Sequence, residues 1–203
     1  VAFSIWHLEL NAFFRMPKTM FQSLANKLTF SRIVAIPVIL VLLAMPYAWA
    51  AWLAMVLFSA AGVTDWFDGY LARRDKQVTM IGAFLDPIAD KLLVAATLLL
   101  LVFNGQIDGF SILPAVIILL REVAVSGLRE FLANVRVSVP VSKLAKWKTT
   151  IQMFSLGFLI VGKHAPDAIP ATYIGDVMLW IAGGLTVITG WDYWRASLKH
   201  FRG

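Results

Sequence analysis

The chain has 203 residues, 60% of them hydrophobic and only 15% charged, with a mean hydropathy of +0.76. A soluble domain is about 45–50% apolar and about 25% charged, so this composition excludes an ordinary soluble globule and, equally, a disordered chain. Zero cysteines exclude a disulfide framework, a thiolate metal site and a cysteine nucleophile, and the net charge of +6, in so apolar a chain, points to the positive-inside rule and anionic lipid, not to a nucleic-acid partner.

From the N-terminus, Val1 to Phe14 lacks the basic leader and small-residue cleavage site of a signal peptide. Phe3, Trp6, Leu10 and Phe13 recur at helical spacing beside Glu9 and Arg15, which predicts a helix lying on the membrane surface. The alternative is a leader without fixed structure. Residues 1–22 are therefore read as a juxtamembrane, interfacial segment and 23–203 as one domain.

A spanning helix needs about 20 residues. No charge occurs from Ile33 to Thr64, a stretch too long for one span, and Pro46 favours a break inside it. The first span is then about 33–49. The second starts near Ala50 and reaches full length only by including Asp65, Asp68 and Arg73. The same shortfall recurs along the chain. A third span starts near Ala83 and includes Asp86 and Asp90, and a fourth includes Arg121 and Glu122. A fifth starts near Lys143, and a sixth runs from about Tyr173 to Arg195. The expected fold is an all-α integral membrane protein with six transmembrane helices.

An even number of spans puts both ends of the domain on one side. All basic residues except Lys91, Arg121 and Lys163 fall on that side or in the helix ends that reach it, so it is expected to be cytoplasmic. Asp65 and Asp68 then end span two at the same depth at which Asp86 and Asp90 begin span three. Four ionised residues within a bilayer cost roughly 10–14 kcal/mol at about 2.5–3.5 kcal/mol each, unless they face water, counter-charges or metal. A polar cavity open to the cytoplasm follows.

Asp65 and Asp68 are three apart and Asp86 and Asp90 four apart, so each pair shares a helix face. A short turn, roughly Arg74 to Thr79, makes the two helices antiparallel and brings the four carboxylates together. Four such charges do not all stay ionised alone; two divalent cations cancel them. Oxygen donors without nearby His or Cys favour Mg²⁺ or Mn²⁺ over zinc, and a pair of ions suits phosphate chemistry. A purely structural network with Arg73 or Lys91 is the competing reading. Gly69 permits close approach of a backbone or ligand.

The pattern Asp65-x2-Asp68-Gly69-x2-Ala72-Arg73-x8-Gly82-x3-Asp86-x3-Asp90 resembles, at every fixed position, the signature of the CDP-alcohol phosphotransferases. The family's six-helix fold covers the chain from about Ser23. The resemblance implies transfer of a phosphatidyl group from CDP-diacylglycerol to an alcohol, with release of CMP. It implies that Asp65 and Asp86 bridge both metals, that Asp68 and Asp90 bind one each, and that Asp90 is also the general base. Gly69, Arg73 and Thr79 would hold the CDP moiety. A homodimer in the bacterial inner or plasma membrane is a further family expectation. The chemistry of the residues agrees: a carboxylate can take the hydroxyl proton, and developing charge on CMP needs stabilising. His7, His164 and His200 fall outside the spans or at their edges and are read as solvated.

Ahead of span one, Asn26-x2-Thr29-x2-Arg32 has a plain reading, in which Asn26 and Thr29 cap a helix and Arg32 snorkels outward. It is also similar to a family element that contacts the nucleotide. In spans four and five, Arg121, Arg129, Lys146 and Lys148 have the chemistry of a second phosphate site; the plain reading is pairing with Glu122 and Glu130. The stretches Arg121–Ala133 and Ser142–Met153 resemble the branch of the family whose acceptor is sn-glycerol 3-phosphate, which makes those four cations its phosphate site. Ser142-Lys143 departs from relatives that often carry Gly there. Competing acceptors are inositol phosphate, serine and phosphatidylglycerol. A six-span transporter would spread its charges along a path, and an all-helical prenyltransferase would carry tighter Asp-rich motifs.

Overall fold

The structure, a computed structural model, describes residues 24–75, 80–135, 137 and 142–201, with side chains outside 24–29, 65–84, 86, 87, 134, 143 and 199–201. The proposed interfacial helix before residue 23 and the polar turn at 76–79 lie outside the described residues. Among the described residues the regular elements are all helical. The long helices are α1 (Leu24–Ala44), α2 (Ala48–Asp75), α3 (Met80–Phe103), α4 (Ile112–Asn134), α5 (Lys143–Val161) and α6 (Ala171–Phe201). Single 3₁₀ turns stand directly before α4 (Gly109–Ser111) and directly after α5 (Gly162–His164).

Local chemistry accounts for the boundaries. α1 stops at Ala44, two residues before Pro46, because the ring disfavours helical geometry in the residue ahead of it. It ends earlier than the expected position 49 and starts earlier too, running through Pro37. α2 absorbs Asp65, Asp68 and Arg73, as its length demanded, and continues to Asp75. Ser142 caps α5: its extended backbone (φ −67°, ψ 156°) lets the hydroxyl accept from the Ala145 N–H at 3.2 Å. The departure at Ser142 is therefore a capping choice. α5 ends at Gly162, whose φ of +42° suits glycine, and a Cβ there would collide with the Gln106 side chain.

The helices pack as a closed ring in the order α2, α1, α3, α4, α6, α5, with α3 and α5 also touching across it. Chain neighbours are thus not always ring neighbours, since α1 inserts between α2 and α3. The main core is apolar and fully buried at Ile39, Ala54, Phe58, Leu98, Leu101, Ile118, Leu156 and Leu179. A smaller cluster of Val125, Leu132 and Tyr193 closes α4 against α6. At the end away from the aspartates, four hydrogen bonds tie elements together. Asn104 Nδ2 donates to Leu43 O at 2.7 Å, Ser155 Oγ to Gly175 O at 2.7 Å, Trp52 Nε1 to His164 O at 3.3 Å and Trp180 Nε1 to Ser111 Oγ at 3.3 Å.

The polarity is inverted relative to a soluble bundle. Arg32, Thr97, Lys148, Gln152, Ser155, Thr186 and Ser197 are buried, while Val34, Val38, Val41, Val56, Leu99, Leu120, Trp191 and many other large apolar side chains face outward. Water does not tolerate a continuous apolar exterior of this kind; hydrocarbon does. Two stretches, Gly109–Ala133 and Ala171–Leu198, are long and apolar enough to cross a membrane, and Phe30–Ala44 and Ala48–Thr64 are shorter apolar helices.

Candidate active site

Positions 65 and 68 lie near the C-terminal end of α2, and 86 and 90 near the N-terminal end of α3, with four residues between the two helices. The backbone therefore carries all four aspartates at one end of the ring. Asp65, Asp68 and Asp86, with Gly69 and Arg73, fall outside the described side chains, as do Asn26 and Thr29, and Thr79 lies outside the described residues altogether. Among the described residues no group of three or more His, Asp and Glu is placed to hold a metal. The donor types themselves, four carboxylates carried near the ends of α2 and α3, fit hard divalent ions.

Asp90 is half-buried and forms part of the wall of a cavity of about 710 Å³. The cavity runs along α2 from Trp52 to Val63 and along α5 from Thr149 to Val161, and reaches Ala165, Pro166 and Ile169 at the far end. Its wall is apolar in effect as well as in composition. The Thr149 and Thr150 hydroxyls donate to Ala145 O and Lys146 O of their own helix, at 3.1 and 3.2 Å. Gly157 leaves open space where a side chain would stand. It is an apolar groove with one carboxylate, Asp90, at the aspartate end of its wall.

Beside it lies a charged cluster. Lys148, on α5, is 2% exposed, and its ammonium pairs with Glu122 Oε1 on α4. Arg121 Nη1 donates to the same oxygen at 3.2 Å. Asp90 and Lys91 of α3 are near enough for their charges to act on Lys148 and Glu122. Arg121 Nε and Gln152 Oε1, one turn beyond Lys148, are buried without a hydrogen-bond partner among the described residues. Such groups need an explanation, and a polar ligand is one. Two turns along α4 from Arg121, exposed Arg129 lies over the Tyr193 ring at 5.8 Å.

The structure thus joins Arg121 to Lys148 and sets Arg129 further toward the helix end. Lys146 is exposed on another side of α5, because two residues turn a helix by about 200°. Arg32 does not snorkel: it is 2% exposed, turned into the bundle at the aspartate end of α1. His164 is half-buried at the far end, in the wall of a smaller cavity of about 120 Å³ with Asn104, Gln106 and Lys163. Sequence reasoning treated Glu122 only as a neutralising partner and passed over Gln152. The signal for Gln152 was the helical repeat of four residues on α5, 148 to 152; for the contact of Glu122 with Lys148 there was none in the spacing.

The sequence model of the CDP-alcohol phosphatidyltransferase family matches residues 22–188. The chain is 48% identical over 180 residues to the CDP-diacylglycerol–glycerol-3-phosphate 3-phosphatidyltransferase of Rickettsia bellii (strain RML369-C), covering 89% of this chain and 98% of that one. It is 41% identical over 215 residues to the protein of the same name from Cereibacter sphaeroides, covering 89% and 97%. Against that of Salmonella choleraesuis the identity is 40% over 172 residues, covering 84% and 92%.

Proposed function

The chain belongs to the CDP-alcohol phosphatidyltransferase family, and from that premise we propose that it transfers the phosphatidyl group of CDP-diacylglycerol to sn-glycerol 3-phosphate, giving phosphatidylglycerophosphate and CMP. The relatives named for that reaction match almost end to end. The observation that carries the reading is an apolar groove of about 710 Å³ with Asp90 in its wall, beside Lys148 and Arg121 gathered on Glu122. In this reading the groove accommodates acyl chains and the cations a small anion.

In this reading residues 23–203 form one six-span domain, as a homodimer, with the aspartate end and both termini on the cytoplasmic side. Asp65, Asp68, Asp86 and Asp90 hold two divalent ions, Mg²⁺ or Mn²⁺. When bound, these supply positive charge to the pyrophosphate and to the departing CMP. Asn26, Thr29, Gly69, Arg73 and Thr79 hold the nucleotide, and the groove along α2 and α5 holds the chains. Arg121, Arg129 and Lys148 bind the acceptor's phosphate, while exposed Lys146 adds to the attracting field. Asp90 accepts the proton of the attacking hydroxyl. That oxygen forms the new bond to phosphorus as the bond to the CMP oxygen breaks.

CMP release by the purified chain, with and without sn-glycerol 3-phosphate, tests the reaction. Release should depend on the acceptor. Equal turnover with glycerol or serine would overturn the acceptor, and no release with any alcohol would overturn the reaction.

A further inference from the structure

Glu122 has no part in the chemistry above, yet one of its oxygens, Oε1, holds two of the proposed acceptor-binding cations. Lys148 reaches it across the ring from α5, and Arg121 turns back to it along α4 at 3.2 Å. Among the described residues, neither cation makes another hydrogen bond. A lysine stem has four rotatable carbons, and an arginine can swing its whole fork. Arg121 is also bounded on its other side. A Cβ at Gly190, on α6, would stand 3.2 Å from Arg121 Cγ and 3.8 Å from Nε, so a side chain there would press Arg121 aside by a few tenths of an ångström.

Each cation keeps unspent donors after meeting Glu122. The ammonium has three N–H bonds and the guanidinium five, and Arg121 Nε has no partner among the described residues. We propose that Glu122 is a positioning residue of the acceptor site: it anchors the Lys148 ammonium and the Arg121 guanidinium on a single oxygen, so that their remaining donors converge on one phosphate. Gly190 leaves the seat in which Arg121 lies. This inference rests on the acceptor reading above. Its rival is that Glu122 stands where the phosphate must go and is displaced by it; the two predict opposite signs when the charge is removed.

The experiment measures Michaelis constants for both substrates, and kcat, on the full chain in phospholipid vesicles. Wild type must first show release of CMP that depends on sn-glycerol 3-phosphate; its absence overturns the acceptor assignment and this inference with it. Given that dependence, Glu122→Gln should raise KM for the acceptor about tenfold, the scale of one charge-assisted contact, and leave KM for CDP-diacylglycerol nearly unchanged. Glu122→Asp should recover part of the loss. An acceptor KM that stays the same or falls, or two constants that rise together, would overturn the inference while leaving the reaction intact. Where Glu122→Gln does not fold, Gly190→Ala decides. Moving Arg121 by a few tenths of an ångström should raise the acceptor KM several-fold, with KM for CDP-diacylglycerol unchanged. An unaltered acceptor KM in Gly190→Ala would overturn the positioning role.

Discussion

Two faces of α5 differ as sharply as any two parts of the molecule. One carries Thr149, Met153, Phe154, Gly157 and Val161 to the groove. The other carries Lys148, Gln152 and Ser155, all buried, toward the ring's interior. A helix of 3.6 residues per turn separates neighbours in sequence by about 100°, so Lys148 and Thr149 look into different surroundings. The difference teaches how, under the proposed reaction, one wall would serve a lipid and a water-soluble anion together, the partition between them a single helix thick.

That comparison can be broken outright at its meeting point. Removing divalent ions with chelator, or replacing Asp86 with Asn, should abolish CMP release, with Mg²⁺ or Mn²⁺ restoring the chelated wild type and not the variant. Full activity in chelator would mean that the carboxylates serve neither face. Next in size, Asp90→Asn keeps the shape of the groove's mouth but cannot take a proton. Turnover should fall by about 10²-fold or more while CDP-diacylglycerol still binds, as read by equilibrium binding; a parallel loss of both would assign Asp90 to binding alone.

The two faces are then sharpened separately. On the anionic side Arg129→Ala, which removes an exposed side chain resting on Tyr193, should raise the acceptor KM roughly 10- to 100-fold, as a charge-assisted contact is worth about 1.5–3 kcal/mol. KM for the lipid should hold. On the apolar side Gly157→Phe fills open space in the groove. It should raise KM for CDP-diacylglycerol by about tenfold, equivalent to losing burial of roughly two methylene groups, and leave the acceptor untouched. If each variant moved both constants, the partition by α5 would not hold.

Much of this was legible along the chain because it is local. Apolar runs too short to span forced Asp65, Asp86, Arg121 and Lys143 into helices, and α2 through α5 include them. Pro46 marked a break, and the spacing of the aspartates put them at one end. The neighbours of each face were not legible. Spacing says that Lys148 and Gln152 share a side, but not that the side meets Glu122, because ring order is set by packing between helices distant in sequence. The same limit hid Gly190, which has meaning only once Arg121 lies against it. Arg32 misled for a related reason: a basic residue near a helix end snorkels by default, and only the neighbouring helices turn it inward.

The hydrogen bonds from Asn104 to Leu43, Trp52 to His164, Ser155 to Gly175 and Trp180 to Ser111 gather at the end remote from the aspartates. Mechanically, these four bonds act as a belt, each fixing a loop or helix end to a different element, so that opening this end requires several to break together. Amide exchange around Leu43 and Gly175 should therefore be slow, nearer to global unfolding than to local fraying.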